Sequence, residues 1–184
     1  MSPEIKRYVI ATHKPWGRDG IEHLKKNDEQ WLLVDSVESL NELNMGTITR
    51  IFFIHWSFKI ANEILEKANC ICFHMTDLPF GRGGSPLQNL IMLGVTHTKL
   101  TALKMTDRID EGPIYIKKDL SLSGRAEEIY HRCANLAYLM IRDIINQNIE
   151  PKKQEGKAFV FKRRTPAMSK IPDDIKDIES TYNY

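Results

Sequence analysis

The sequence predicts an α/β fold, a mainly parallel twisted sheet flanked by helices. Short β-branched and aromatic runs alternate with helix-like stretches through the first two thirds of the chain. Ile51 to Ile54 (IFFI) is a continuous apolar run, as expected of a strand covered on both faces. A long amphipathic stretch starting near Gly124 carries Ile129, Cys133, Leu136, Met140 and Ile144 on one face, with Glu127 and Glu128 in its first turn. At 184 residues, 42% apolar and 27% charged, the chain has enough core-forming residues for one domain without disulfide or metal staples.

Arg7 to Thr12 (RYVIAT) reads as the first strand. A break at Lys14, Pro15, Trp16 and Gly17 then hands over to a helix through Ile21 and Leu24. Trp31 to Val34 is a second strand. Asp35 with Glu38 three residues on resembles a capped helix start leading into Leu40 and Leu43. After the IFFI strand, Ser57 is placed to cap a helix carrying Ile60, Ile64 and Leu65. Cys70 to Phe73 is a fourth strand, followed by the irregular loop HMTDLPFGRGGSP and a short apolar helix from Leu87 to Leu93. Thr98 to Met105 and Ile114 to Lys118 read as a hairpin or bulged pair around the turn-like DRIDEGP. Residues 1–150 form the expected main domain. Residues 151–184, with the apolar run Ala158 to Phe161 between basic flanks, form a C-terminal extension on or beside it.

Lys plus Arg number 26 against 24 for Asp plus Glu, a net charge of +2, which argues against a chain built to grip nucleic acid. No apolar run approaches the roughly 18 residues of a bilayer span, so a cytoplasmic protein without membrane contact is expected. Cys70, Cys72 and Cys133 have neither zinc-ribbon nor thioredoxin spacing and read as buried reduced thiols. His13, His23, His55, His97 and His131 show no ligand spacing, so no metal site is expected.

In an open α/β sheet, ligands bind beyond the carboxyl ends of the strands. His74 follows a strand and opens the glycine-rich loop, where Gly81, Gly83 and Gly84 let backbone approach a ligand and Arg82 supplies a fixed positive charge. Asp110 occupies a comparable place 36 residues later, so the two could meet at one end of the sheet. A carboxylate beside an imidazole fixes its orientation and favours its charged form, and such a pair suits acyl transfer to an amine or alcohol. No Gly-x-Ser-x-Gly elbow signals a covalent intermediate. Each residue also has an ordinary structural reading: a satisfied histidine at a strand end, a tight surface turn at Gly-Arg-Gly-Gly-Ser, a β-turn at Asp110.

Taken together, FHMTDLPFGRGGSPLQN and KMTDRIDEGPIYI resemble the formyltransferase family that uses 10-formyltetrahydrofolate. The family pattern is a strand ending Asn-x-His, then Leu-Pro, Arg-Gly, Pro-Leu and, after another strand, Asp-x-Gly. It matches His74, Leu78 with Pro79, Arg82 with Gly83, Pro86 with Leu87, and Asp110 with Gly112. FKRRTPAMSKI resembles the segment after the family's catalytic domain, so the resemblance runs from about Ile51 to Ile171. Cys72 stands where the family has Asn, and a thiol is a weak donor for a developing oxyanion. Either His74 and backbone amides suffice there, or another side chain such as Asn89 enters the site.

The resemblance implies a Rossmann-like formyltransferase fold and direct attack of an amine on the formyl carbon. His74 would stabilise the oxyanion and Asp110 would orient His74 and take the amine proton, with the role of Cys72 in doubt. It places the folate on Arg82, Gly83, Pro86, Leu87, Asn89, Leu90, Met92, Gly112 and Ile114, and the acceptor near His13, Lys14, Trp16, Met75, Thr76 and Lys104. The Cys-x-His-Met-Thr-Asp-Leu-Pro variant looks like bacterial sugar N-formyltransferases of the pseudaminic acid type and the formylation domain of linear gramicidin synthetase. The implied acceptor is therefore a nucleotide-linked deoxyamino sugar, a small molecule rather than a nucleic acid. At this length the basic C-terminal domain of the tRNA enzymes is not expected, and THKPWG after the first strand is not the glycine-rich phosphate loop expected of the purine enzymes. The alternatives are an aminoacyl group on tRNA or a peptide synthetase carrier, or a silent folate-binding module. Association into a homodimer stays open.

Overall fold

A computed structural model describes residues 5–24, 26, 28–175 and 177–183. Among them the strands are, in chain order, β1 (Lys6–Ala11), β2 (Glu29–Val34), β3 (Arg50–Phe53), β4 (Cys70–His74), β5 (Phe80–Gly83), β6 (His97–Lys104), β7 (Ile114–Ser121) and β8 (Phe159–Phe161). The helices are α1 (Val37–Asn41), α2 (Asn62–Lys67), α3 (Pro86–Met92), α4 (Ala126–Asn146) and α5 (Ile178–Asn183). Six strands make one sheet in the order β2-β1-β3-β4-β6-β7, and β5 pairs with β8 in a separate ribbon. β2, β1, β3 and β4 run parallel, whereas β6 and β7 are antiparallel additions.

The apolar strands are continuous because both faces are covered. On one face, Ile10, Phe52, Ile71 and Leu100 pack with Ile129, Cys133, Ala137, Met140 and Ile144 of α4. On the other, Val9, Ile51, Phe53 and Cys70 meet Leu40 of α1 and Ile64 of α2. β6 and β7 pair with a register shift between Ala102 and Leu103, the bulged hairpin the spacing predicts. No helix among the described residues is long and apolar enough to cross a membrane.

Local signals misled in four places. The helix expected through Ile21 and Leu24 is two 3-10 turns, Pro15–Gly17 and Ile21–Leu24. α4 lies directly on this segment: the Tyr138 hydroxyl donates to Gly17 O at 2.6 Å, and a Cβ on Gly20 would sit 2.1 Å from the Tyr138 ring. α1 is capped by Ser36 with a reciprocal bond from Ser39, not by Asp35 with Glu38. Asp35 instead pairs with Arg18 at 2.9 Å. α2 starts only at Asn62, so Ser57 does not cap it. The loop after β4 contains a strand whose partner, β8, lies about 80 residues away, so no local pattern announces it.

The segment after α4 is tied back to the sheet. Ile114 and Lys152 exchange backbone hydrogen bonds of 2.7 and 2.8 Å, the Phe159 amide donates to Pro79 O, and Phe161 is buried against the core.

Candidate active site

Cys70, Cys72 and His74 alternate onto one face of β4. β6 runs antiparallel to β4, so the 105–113 loop leaves the sheet where β4 begins, with the Met105 amide bonded to Cys70 O at 2.8 Å. Asp110 then reaches across this face to His74. The pair meets as expected, but over the sheet face rather than through matching strand ends, because the return strand is antiparallel.

His74 Nδ1 lies 3.6 Å from Asp110 Oδ2, and both side chains are largely buried. His74 Nε2 is 2.7 Å from Gly81 O, and a carbonyl can only accept, so Nε2 carries a proton and Nδ1 faces the carboxylate. The same Oδ2 accepts from the Gly83 amide at 2.9 Å. Asp110 itself adopts the left-handed conformation (φ 55°). Gly112 packs so tightly that a Cβ there would lie 1.7 Å from Lys104 O. Burial first, and the Asp110 charge second, push the Cys72 thiol well above its ordinary value, so it presents a neutral S–H to the site.

These groups open into a cleft of about 900 Å³. Of the expected residues, Cys72, His74, Asp110, Gly83, Pro86, Leu87, Lys14, Trp16, Met75 and Lys104 line it. The others lie elsewhere. Arg82 turns to Gln154 Oε1 (3.1 and 2.8 Å) and Glu111. Asn89 is engaged by the carbonyls of Gly84, Ser85 and Lys162, so its amide is not free to replace the family Asn. Leu90 is core, and Met92 sulfur meets Arg164. Gly112 backs onto Lys104, and Ile114 bridges to Lys152. Thr76 is buried, with its carbonyl bonded to the Thr101 hydroxyl. His13 meets Trp56 edge-on and Phe58 at a tilt, and does not itself line the cleft.

Several cleft residues escaped the sequence reading. Trp16 stacks on Tyr130 at 5.2 Å with nearly parallel rings, and His55 stands edge-on to both. Trp56 and Phe58 continue this aromatic wall, and Lys59 and Arg163 add charge to the lining. His55 and Trp56 follow β3 after the single residue Ile54, so the strand-end rule that singled out His74 also applied to them. Burial pushes the His55 imidazole down to about 4 despite its contact with Tyr130 O.

The cleft suits a folate. Apolar Leu87, Leu103 and Met105 stand beside the backbone of residues 106–110, as a flat heterocycle with hydrogen-bonding edges requires. Ile109, at the rim, is 77% exposed, a placement that gains stability when a ligand covers it.

No family model matches the chain. It is 33% identical over 152 residues to methionyl-tRNA formyltransferase of Rickettsia typhi, covering 79% of this chain and 49% of that protein. The chain thus spans about half the length of the curated relatives it matches. Among solved structures, methionyl-tRNA formyltransferase from Clostridium thermocellum superposes with a TM-score of 0.91 at 41% identity, covering 97% of this chain and 81% of that one. A sugar N-formyltransferase from Shewanella sp. superposes with a TM-score of 0.74 over 97% of this chain and 86% of that one, but at 15% identity, so it supports the fold alone. The expected priority of sugar enzymes is therefore not what these matches return, since the relatives alike in sequence carry the tRNA name. With 41% of positions shared across four fifths of the Clostridium thermocellum protein, this chain belongs to the formyltransferase family.

Proposed function

We propose that the protein transfers the formyl group of 10-formyltetrahydrofolate, the donor its family uses, to the amine of an aminoacyl group on tRNA. The observation that carries the transfer reading is His74 facing Asp110 at 3.6 Å in a cleft of folate size. The acceptor reading rests on the names of the relatives alike in sequence and on charge placement. Lys152 to Lys170 holds seven basic residues and one acidic, and Arg163 brings that stretch to the cleft. The overall charge of +2 hides this local excess.

The bound donor supplies an electrophilic formyl carbon and leaves as tetrahydrofolate. Gly81 O holds the His74 ring so that its Nδ1 edge faces the cleft beside Asp110, where the negative oxygen forms when the amine adds. Asp110, held by the Gly83 amide, takes the proton released by the attacking nitrogen. Cys72 adds only a weak donor. The aromatic wall gives the acceptor side an apolar face. In this reading residues 1–150 form the catalytic domain and the segment beyond Pro151 straps onto it.

The second reading, a nucleotide-linked amino sugar, is favoured by the Trp16–Tyr130 stack with Lys14 and Lys59 nearby, which suits a base and a diphosphate. The test is to mix protein and 10-formyltetrahydrofolate with methionyl-tRNA, UDP-4-amino sugars or dTDP-4-amino sugars, and to follow tetrahydrofolate release and formylated product. Formyl-methionyl-tRNA supports the first acceptor and a formylated sugar replaces it with the second. No product from any of them refutes formyl transfer to these amines.

A further inference from the structure

We infer that Gln154 is a positioning residue for Asp110, a role that rests on the formyl-transfer reading. Gln154 Nε2 donates to Asp110 O and Gly112 O, both at 2.8 Å. Its Oε1 accepts from Nε and Nη2 of Arg82 at 3.1 and 2.8 Å. Both amide protons point at carbonyls and the amide oxygen at a guanidinium, so the orientation of the amide is set by its partners.

The 110–112 turn needs such a clamp. Asp110 is a non-glycine residue at φ 55°, a conformation that costs free energy and persists only when its surroundings enforce it. The carbonyls on either side of Glu111 are both fixed by one side chain, while Arg82 pairs with Glu111 itself at 3.5 Å. Next to Arg82, the Gly83 amide holds the Asp110 carboxylate at 2.9 Å. A closed circuit therefore runs from Asp110 O through Gln154 and Arg82 to Gly83 and back to Asp110 Oδ2. It fixes the backbone and the carboxylate of one residue together, and so sets the distance to His74. Glutamate at position 154 would keep Arg82 but turn a carboxylate oxygen on the two carbonyls. Methionine would keep the volume and remove every bond.

The experiment compares Gln154→Glu and Gln154→Met, each in the 184-residue chain, with the parent in formyl transfer, thermal unfolding and amide hydrogen exchange. Both variants are expected to lose about 10- to 100-fold in kcat, as misplacement of a catalytic group by a fraction of an ångström does, with KM for folate and amine within about threefold. Exchange of the amides of residues 110–112 should rise about tenfold. Loss of kcat only in proportion to the unfolded fraction, or unchanged exchange in both variants, overturns the inference. If the parent makes no formylated product, the transfer reading fails by itself and the exchange arm still decides whether Gln154 holds the turn.

Discussion

Nδ1 of His74 and Oδ2 of Asp110 face each other across 3.6 Å, and each side chain is held by a backbone group of the same short strand. Gly81 O receives His74 Nε2, and the Gly83 amide holds the carboxylate. β5 thus acts as a ruler between the two groups, and β8 fixes the ruler. His74→Ala and Asp110→Asn should each remove about 2–4 kcal/mol of transition-state stabilisation, seen as a roughly 30- to 1,000-fold fall in kcat/KM. Folate affinity, measured by calorimetry, should change by less than about threefold. Equal losses in binding and turnover would show that the pair serves binding instead.

Gly112 bears on the same geometry through space rather than charge. Its missing Cβ would lie 1.7 Å from the carbonyl oxygen of Lys104, a backbone atom at the end of β6 that also borders the β7 pairing. Gly112→Ala must therefore displace the turn and should destabilise the fold by about 2 kcal/mol or more in urea denaturation. Gly46→Ala, where the nearest atom is 3.4 Å away, should stay within roughly 0.5 kcal/mol of the parent. Similar values for the two would mean the turn yields freely.

Much of this arrangement was legible in the chain because it is written in local pattern. The apolar runs of β1, β3 and β4 and the long stripe of α4 follow from burial alone. The ordered motif from His74 to Gly112 brought both members of the pair to the cleft. What escaped is set by long-range contact. Arg82 reads as a ligand cation until Gln154, 72 residues away, claims its guanidinium. Asn89 reads as a spare amide until the carbonyl of Lys162 joins its list of acceptors. Tyr130 is one more residue on an amphipathic helix until Trp16 stacks on it. No spacing rule encodes such meetings: the first two depend on how the segment after α4 returns to the glycine-rich loop, and the third on how α4 packs on the turn after β1.

Cys72 offers a test of the transition-state argument in the direction of gain. Its thiol, raised by burial and by Asp110, stays neutral at pH 7 and donates weakly. Cys72→Asn places an amide donor on the same cleft wall, and a single added oxyanion donor is expected to raise kcat by about tenfold. The measurement is single-turnover formyl transfer under saturating donor. An unchanged rate would indicate that His74 and backbone already meet the full demand of the oxyanion.

His55 links the aromatic wall to pH. It sits at φ 51° among Trp16, Tyr130 and His131, with burial holding its imidazole down at about 4 while an unfolded chain titrates near 6.5. Below pH 6.5 the unfolded state binds a proton that the folded state refuses, so stability is full above that value and falls as pH drops toward 4. The loss from this one group is on the order of 3 kcal/mol across that window. Asn tolerates the left-handed backbone and does not titrate, so His55→Asn should flatten the acid limb of a urea-unfolding series between pH 7 and 4. It should also raise the acceptor KM, because the edge that supports the Trp16–Tyr130 stack is gone. An acid limb of undiminished slope in the variant would assign the loss to other groups and leave His55 a packing residue only.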